Sequence, residues 1–177
     1  MTDQWQETEE AGDAPEDPVT VRIGQAVMLH RGGDREEARN RLARLWEETR
    51  ADGDLFHRCA IAHYLAAAQD DPAVALEWDL RALAVAETLT DRAAGEGRRP
   101  AVRSLYPSLY LRLATDHARL GDPGAARREL ARARRAVGEL PDDAYGADVR
   151  AAIDRTESRL AAPGGFGGLE GSGGQSP

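Results

Sequence analysis

The sequence predicts an all-α fold built of antiparallel helical hairpins stacked on one another, and three observations carry that reading. The first is an internal repeat. A tight polar turn is followed by a small residue at Gly33-Asp34 then Ala38, Asp70-Asp71 then Ala75, and Gly121-Asp122 then Ala126. Leu45, Ala82 and Ala133 stand seven residues further on, and Ala26, His63 and Ala114 stand twelve residues upstream. Small residues at one place in successive hairpins let helix backbones approach, so each hairpin nests on the next and buries a face it cannot bury alone. The second is composition: Leu and Ala dominate, aromatics make up only 5% of the chain, and β-branched runs are short, which favours close-packed helices over sheets. The third is punctuation, since Asp71-Pro72 and Asp122-Pro123 each place a capping carboxylate ahead of a proline suited to the first helical turn.

The elements follow in order. A first hairpin runs from about Val19 to Arg31 and from Asp34 to Arg50, with Gly32-Gly33 as the stop between its helices. A second runs from Asp54 to Ala68 and from Asp71 to about Asp91, and a third from Ser104 to Leu120 and from Asp122 to Gly138. A last helix, Asp143 to about Leu160, carries Val149, Ala152, Ile153 and Leu160 on one stripe and reads as an end cap. The repeat units are therefore about 19–52, 54–92 and 104–138, with the cap at 143–161 in a helical domain of residues 19–162. Ala38 and Ala75 are 37 residues apart and Ala75 and Ala126 are 51 apart, so the segment AAGEGRRPAV around residues 93–102 is an inserted loop. Residues 1–18 are acidic and carry one aromatic, Trp5, too little apolar surface to offset the entropy of ordering. Residues 163–177 are Gly-rich. Both ends are expected to be disordered tails.

Charge is segregated. Of the net charge of -8, -7 resides in the first 18 residues, which hold seven acids and no Arg, and -1 on Glu170, whereas residues 19–162 hold 23 acids and 23 Arg and balance. Residues 34–97 carry 14 acids and 8 Arg, while residues 98–135 carry 3 acids and 10 Arg, so one end is acidic and the other basic. Every cation is Arg, first an imprint of GC-rich coding, but also a planar, permanently charged fork suited to carboxylates and phosphates. The single cysteine, Cys59, has no disulfide partner within the chain, no stretch has membrane-spanning length, and the acidic start is unlike a signal peptide. A cytoplasmic protein is expected.

The stretches Ala75-Leu76-Glu77-Trp78-Asp79-Leu80-Arg81-Ala82-Leu83 and Gly121-Asp122-Pro123-Gly124-Ala125-Ala126, the latter continuing to Ala133, resemble the tetratricopeptide repeat, a helix-turn-helix unit of 34 residues. The resemblance covers residues 19 to about 138 and implies a right-handed solenoid of three hairpins plus the cap, with the first helix of each hairpin lining a concave groove. Arg22, His63 and Asp79 depart from it, standing where the family carries a large apolar residue, a Gly or Ala, and an aromatic or Leu.

The implied groove is Ile23, Val27, His30 and Arg31, then His57, Ala60, Tyr64 and Ala67, then Ser108, Leu111, Thr115 and Arg119. An apolar floor with His and Tyr at its centre and Arg at its end suits a peptide with apolar anchors and an acidic terminus. The resemblance therefore implies a non-catalytic interaction module that binds a protein or peptide, with self-association as a further use of the groove. Members that clamp a chaperone tail use Lys and Asn on these helices. Here there is no Lys, and the one Asn, Asn40, falls on a second helix.

Arg127, Arg128, Arg132 and Arg135, with Arg134, form a basic run in the third hairpin, and Arg128, Arg132 and Arg135 share a helix face. A phosphate backbone and an acidic protein segment are both candidates for it. The neutral body, the acidic arm and the absence of interleaved aromatics disfavour nucleic acid. Cys59 and His63 share a face at i, i+4 but lack further ligands, so they read as a buried thiol beside a partly satisfied histidine and not as a metal site. Carboxylate pairs such as Glu36-Glu37, Glu47-Glu48 and Asp70-Asp71 fall where caps and solvated faces need them. No phosphate loop, nucleophile elbow or zinc-binding His pair is present, so neither cofactor nor catalysis is expected.

Overall fold

The computed structural model describes residues 17–49, 53–92 and 102–162. They form α1 (Pro18–Arg31), α2 (Arg35–Glu48), α3 (Leu55–Ala67), α4 (Pro72–Arg92), α5 (Tyr106–Arg119), α6 (Pro123–Ala136), a 3₁₀ turn (Val137–Glu139) and α7 (Ala144–Ala161). The arm before Asp17, the Gly-rich tail and residues 93–101 of the expected inserted loop lie outside the described residues.

Local chemistry sets most helix starts. Asp17, Asp34, Asp54, Asp71, Asp122 and Asp143 each accept a backbone N–H from the first turn of the helix that follows. A cap of this kind contributes about 1 kcal/mol. Asp17 and Pro18, expected to belong to the arm, are the cap and first residue of α1. The exception is α5, which has no side-chain cap and starts at Tyr106, two residues later than expected, because Pro107 fits only the first turn of a helix. Gly33 (φ +92°) and Gly121 (φ +78°) occupy the left-handed region between paired helices, where a Cβ is strained.

Each helix packs on the next in the chain, most extensively within the pairs α3–α4 and α5–α6. In addition α1 touches α3, and α5 touches α7. The alanines of the internal repeat, Ala26, Ala38, Ala75, Ala82, Ala114, Ala126 and Ala133, are all fully buried. Three apolar clusters run along the molecule. One joins Ile23, Ala26, Leu42, Leu45, Ile61 and Leu65, the next joins Cys59, Ala62, Ala82, Ala86, Leu109 and Leu113, and the last joins Ala114, Leu130, Val149 and Ile153. Trp46 and Trp78 meet edge-to-face at 5.3 Å and bridge the first two. Among the described residues no helix is long and apolar enough to cross a membrane.

Candidate functional site

The repeat register exposes an anomaly. Four residues after Ala38 and Ala126 stand Leu42 and Leu130, both buried; the same step from Ala75 lands on Asp79, at 0% exposure. The partners change with it. On α3, Ile61 and Leu65 flank His63 and fill the core against the first hairpin. On α5 the equivalent flanks of Ala114 are Arg112 and Asp116, the latter 1% exposed. A buried ion cluster thus occupies the junction of α3, α4 and α5.

Its geometry is specific. Arg112 Nε donates to Asp79 Oδ2 at 3.2 Å, and Asp79 Oδ1 lies 3.8 Å from His63 Nδ1. Asp116 stands near enough to Asp79 to bear on its carboxyl, and its Oδ1 is 3.7 Å from Arg119 Nη1. Asp79 Oδ1, Asp116 Oδ2 and His63 Nδ1 are buried without a hydrogen-bond partner. Loss of hydration, aided by the Arg112 charge, pushes the His63 imidazole down to about 4, so it is neutral at physiological pH. Loss of hydration also raises the Asp79 carboxyl against the attraction of Arg112, and Asp116 adds to the rise by hydrogen bonding and repulsion. Asp79 therefore holds a proton that an exposed aspartate would have lost. Among the described residues no group of three or more His, Cys, Asp or Glu side chains is placed to hold a metal ion.

The turn beside the cluster is clasped from both sides. Where the other two hairpin turns have glycine, this one has Asp70, whose carboxylate pairs with Arg35 at 3.1 Å and Arg39 at 3.4 Å from α2. From the opposite side Arg119 Nη2 donates to the Asp70 carbonyl at 3.2 Å. Arg119, expected at the end of a groove, is thus a tie between the second and third hairpins.

Two of the other expected groove residues, His57 and Ser108, are linked to neighbouring helices. The Thr20 hydroxyl lies 3.0 Å from His57 Nε2 and joins α1 to α3, and the Tyr145 hydroxyl donates to Ser108 at 3.1 Å and joins α7 to α5. Val27, His30, Ala60, Tyr64, Ala67, Leu111 and Thr115 are half-buried and Arg31 is exposed. Tyr64 meets His63 edge-on at 5.5 Å, and the Thr115 hydroxyl is spent on the Leu111 carbonyl. Ile23 is an exception: it is buried in the first apolar cluster and has little surface to offer a partner.

The Arg run on α6 divides among neighbours. Arg127 donates to the Leu160 carbonyl, and Arg134 binds Asp154 and Glu157, all on α7. Arg132 stacks on Tyr110 with its guanidinium 4.2 Å from the ring centre, and donates to the Tyr110 hydroxyl and to Glu129. Arg128 is exposed near Asp122. Among the described residues no carboxylate is within ion-pairing reach of Arg135. Cys59 and His63 do not work together: the thiol donates to the Ala82 carbonyl at 3.5 Å, and burial pushes it up to about 12.

Sequence reasoning singled out His63 and Asp79 as departures from the repeat but missed Arg112 and Asp116. The signal was available in the register, because both sit two residues from Ala114 where α3 carries Ile61 and Leu65. Compared with known proteins, the chain matches no family model, no curated protein and no solved structure.

Proposed function

We propose that this chain is a non-catalytic, cytoplasmic interaction module: a right-handed, tetratricopeptide-like solenoid of three hairpins and a cap that binds a peptide segment of a protein partner across α1, α3 and α5. The observation that supports it most is that His63, Tyr64, Arg112 and Arg119, all partly exposed, stand on α3 and α5 in the middle of the set expected to line the groove. Aromatic and Arg side chains beside partly exposed apolar surface are what interface centres are made of. A non-catalytic role is supported by the sealing of Asp79 and Asp116, which leaves the carboxylates without access to a substrate. The alternative, a nucleic-acid module using the Arg run, has less support, because Arg127, Arg132 and Arg134 are engaged with protein groups.

The test is affinity enrichment from the native cytoplasm with the full chain and with H57A/Y64A, helicity being checked by circular dichroism. The reading predicts a partner that the wild type retains and the folded variant loses. Retention by both would remove the groove from the account, and recovery of the chain alone or of nucleic acid would replace the reading with self-assembly or with the Arg run.

A further inference from the structure

A cleft lies away from His63, Tyr64 and the rest of the expected groove. Of about 410 Å³, it is lined by Thr90 of α4, Tyr106 and Tyr110 of α5, and Arg132, Arg135 and their neighbours at the C-terminal end of α6, with Arg103 and Glu139 at its rim. The two tyrosine rings lie 5.7 Å apart, tilted by 30°, and the Tyr106 hydroxyl is held by Thr90 at 2.8 Å. Arg132 caps the Tyr110 ring from one side. It pairs with the mostly buried Glu129 at 3.1 Å, whereas Arg103 and Glu139 pair at 3.3 Å with both side chains exposed. An exposed pair contributes at most about 1 kcal/mol, so an incoming carboxylate can share Arg103 at little cost. Arg135 needs no such exchange. Glu87 and Asp91 also face Tyr106, so the cleft favours an anion at its α6 side and an aromatic body over the tyrosines.

We propose that this cleft is the docking site of the chain's own acidic segment, residues 1–16, with Trp5 over the Tyr106–Tyr110 rings and a carboxylate such as Glu7 on Arg135 and Arg132. The segment carries Asp3, Glu7, Glu9, Glu10, Asp13 and Glu16 and no Arg, and it places an aromatic two residues from a carboxylate. Its point of attachment is on the correct end of the molecule. Asp17 and Thr20 sit beside His57 at the start of α3. Helix α4 returns antiparallel to α3, as the Cys59–Ala82 contact shows, and so brings Thr90 and the cleft to that same end. Neighbouring helix axes are about 8–10 Å apart, and the ten to twelve residues between Asp17 and Glu7 or Trp5 reach roughly 35–40 Å when extended, so the span from α1 to α5 is covered. Tethering supplies the effective concentration that a shallow, salt-sensitive contact needs. The contact would also keep acidic partners from the basic end of the molecule until they displace the segment.

The experiment uses the full chain with a nitroxide attached at T8C, Cys59 being buried and unreactive, and reads paramagnetic broadening of backbone amides. Docking predicts broadening centred on residues 103–110 and 132–139, lost in R132A/R135A and lost at about 1 M salt, where the screening length falls to about 3 Å. A second variant leaves the folded body untouched: E7Q/E9Q/E10Q should abolish the broadening as well. Broadening spread evenly over the surface, or unchanged by both variants, would overturn the proposal. Broadening transferred to an isotope-labelled chain by a separate nitroxide-bearing chain would overturn it in favour of docking between copies.

Discussion

The junction of α1, α2 and α3 and the junction of α3, α4 and α5 occupy equivalent places in the repeat and are filled by opposite chemistry. The first is hydrocarbon: Leu42 meets Ile61 and Leu65, each buried to within about one per cent. The second replaces the leucine by Asp79 and its neighbours by Arg112 and Asp116. Fully burying a leucine or isoleucine contributes about 1.5–3 kcal/mol without demanding a direction. Burying an ion costs several kcal/mol, which attraction offsets only where the geometry is good and the remaining lone pairs are satisfied. Here three buried polar atoms are left unpartnered. The second junction therefore holds less tightly than hydrocarbon would. In exchange, it fixes how α5 sits on α4 through directional bonds and makes their contact responsive to protons.

The largest expected effect comes from breaking one member of the cluster. D79A strands the Arg112 guanidinium and should cost about 3–5 kcal/mol in urea unfolding. The matched cut in the hydrocarbon junction, L42A, should cost about 2–5 kcal/mol. What separates the two junctions is repair. D79L/R112I/D116L, which copies the first junction onto the second, should be as stable as the wild type or more stable by about 1–4 kcal/mol. A triple variant as weak as D79A would mean that the ions are the tighter solution.

The next effect is on pH dependence, and two groups act with opposite sign. His63 falls from about 6.5 in the unfolded chain to about 4 in the fold, so the folded state binds fewer protons and stability is lost as pH drops from about 6.5 through about 4. Asp79 is raised from its unfolded value near 3.9, so the folded state binds more protons and stability is lost as pH climbs toward the folded value. Between about 4 and 6.5 the two oppose; above about 6.5 only Asp79 remains, and stability declines. Urea midpoints measured across this range should show that decline in the wild type and its loss in D79N. The smallest effect is at the surface. Arg22 and Glu48 pair at 2.6 Å but both side chains are about half exposed, and R22A should leave the unfolding midpoint unchanged.

What was legible in the sequence was local. Asp71 and Asp122 cap helices where the proline that follows each says they should, because a cap needs only the backbone that follows it. The buried alanines were legible for the same reason, as one register repeated. Arg112 and Asp116 were not, because their meaning depends on which side of α5 meets α4, and a helical stripe does not name its neighbour. Arg119 shows the same limit, since its side chain is directed by a carbonyl 49 positions away in the chain. The Arg run on α6 was visible as charge, yet α5 and α7 divide it, and only the packed helices decide which guanidiniums remain available.

The most direct test of the contrast between the junctions is carbon-13 NMR titration of the Asp79 carboxyl in the full chain. Its burial predicts that Asp79 keeps its proton well above the normal aspartate range, while the imidazole of His63 is neutral above about 4. An Asp79 carboxyl that titrates near 4 would contradict this and reduce the cluster to an ordinary ion pair.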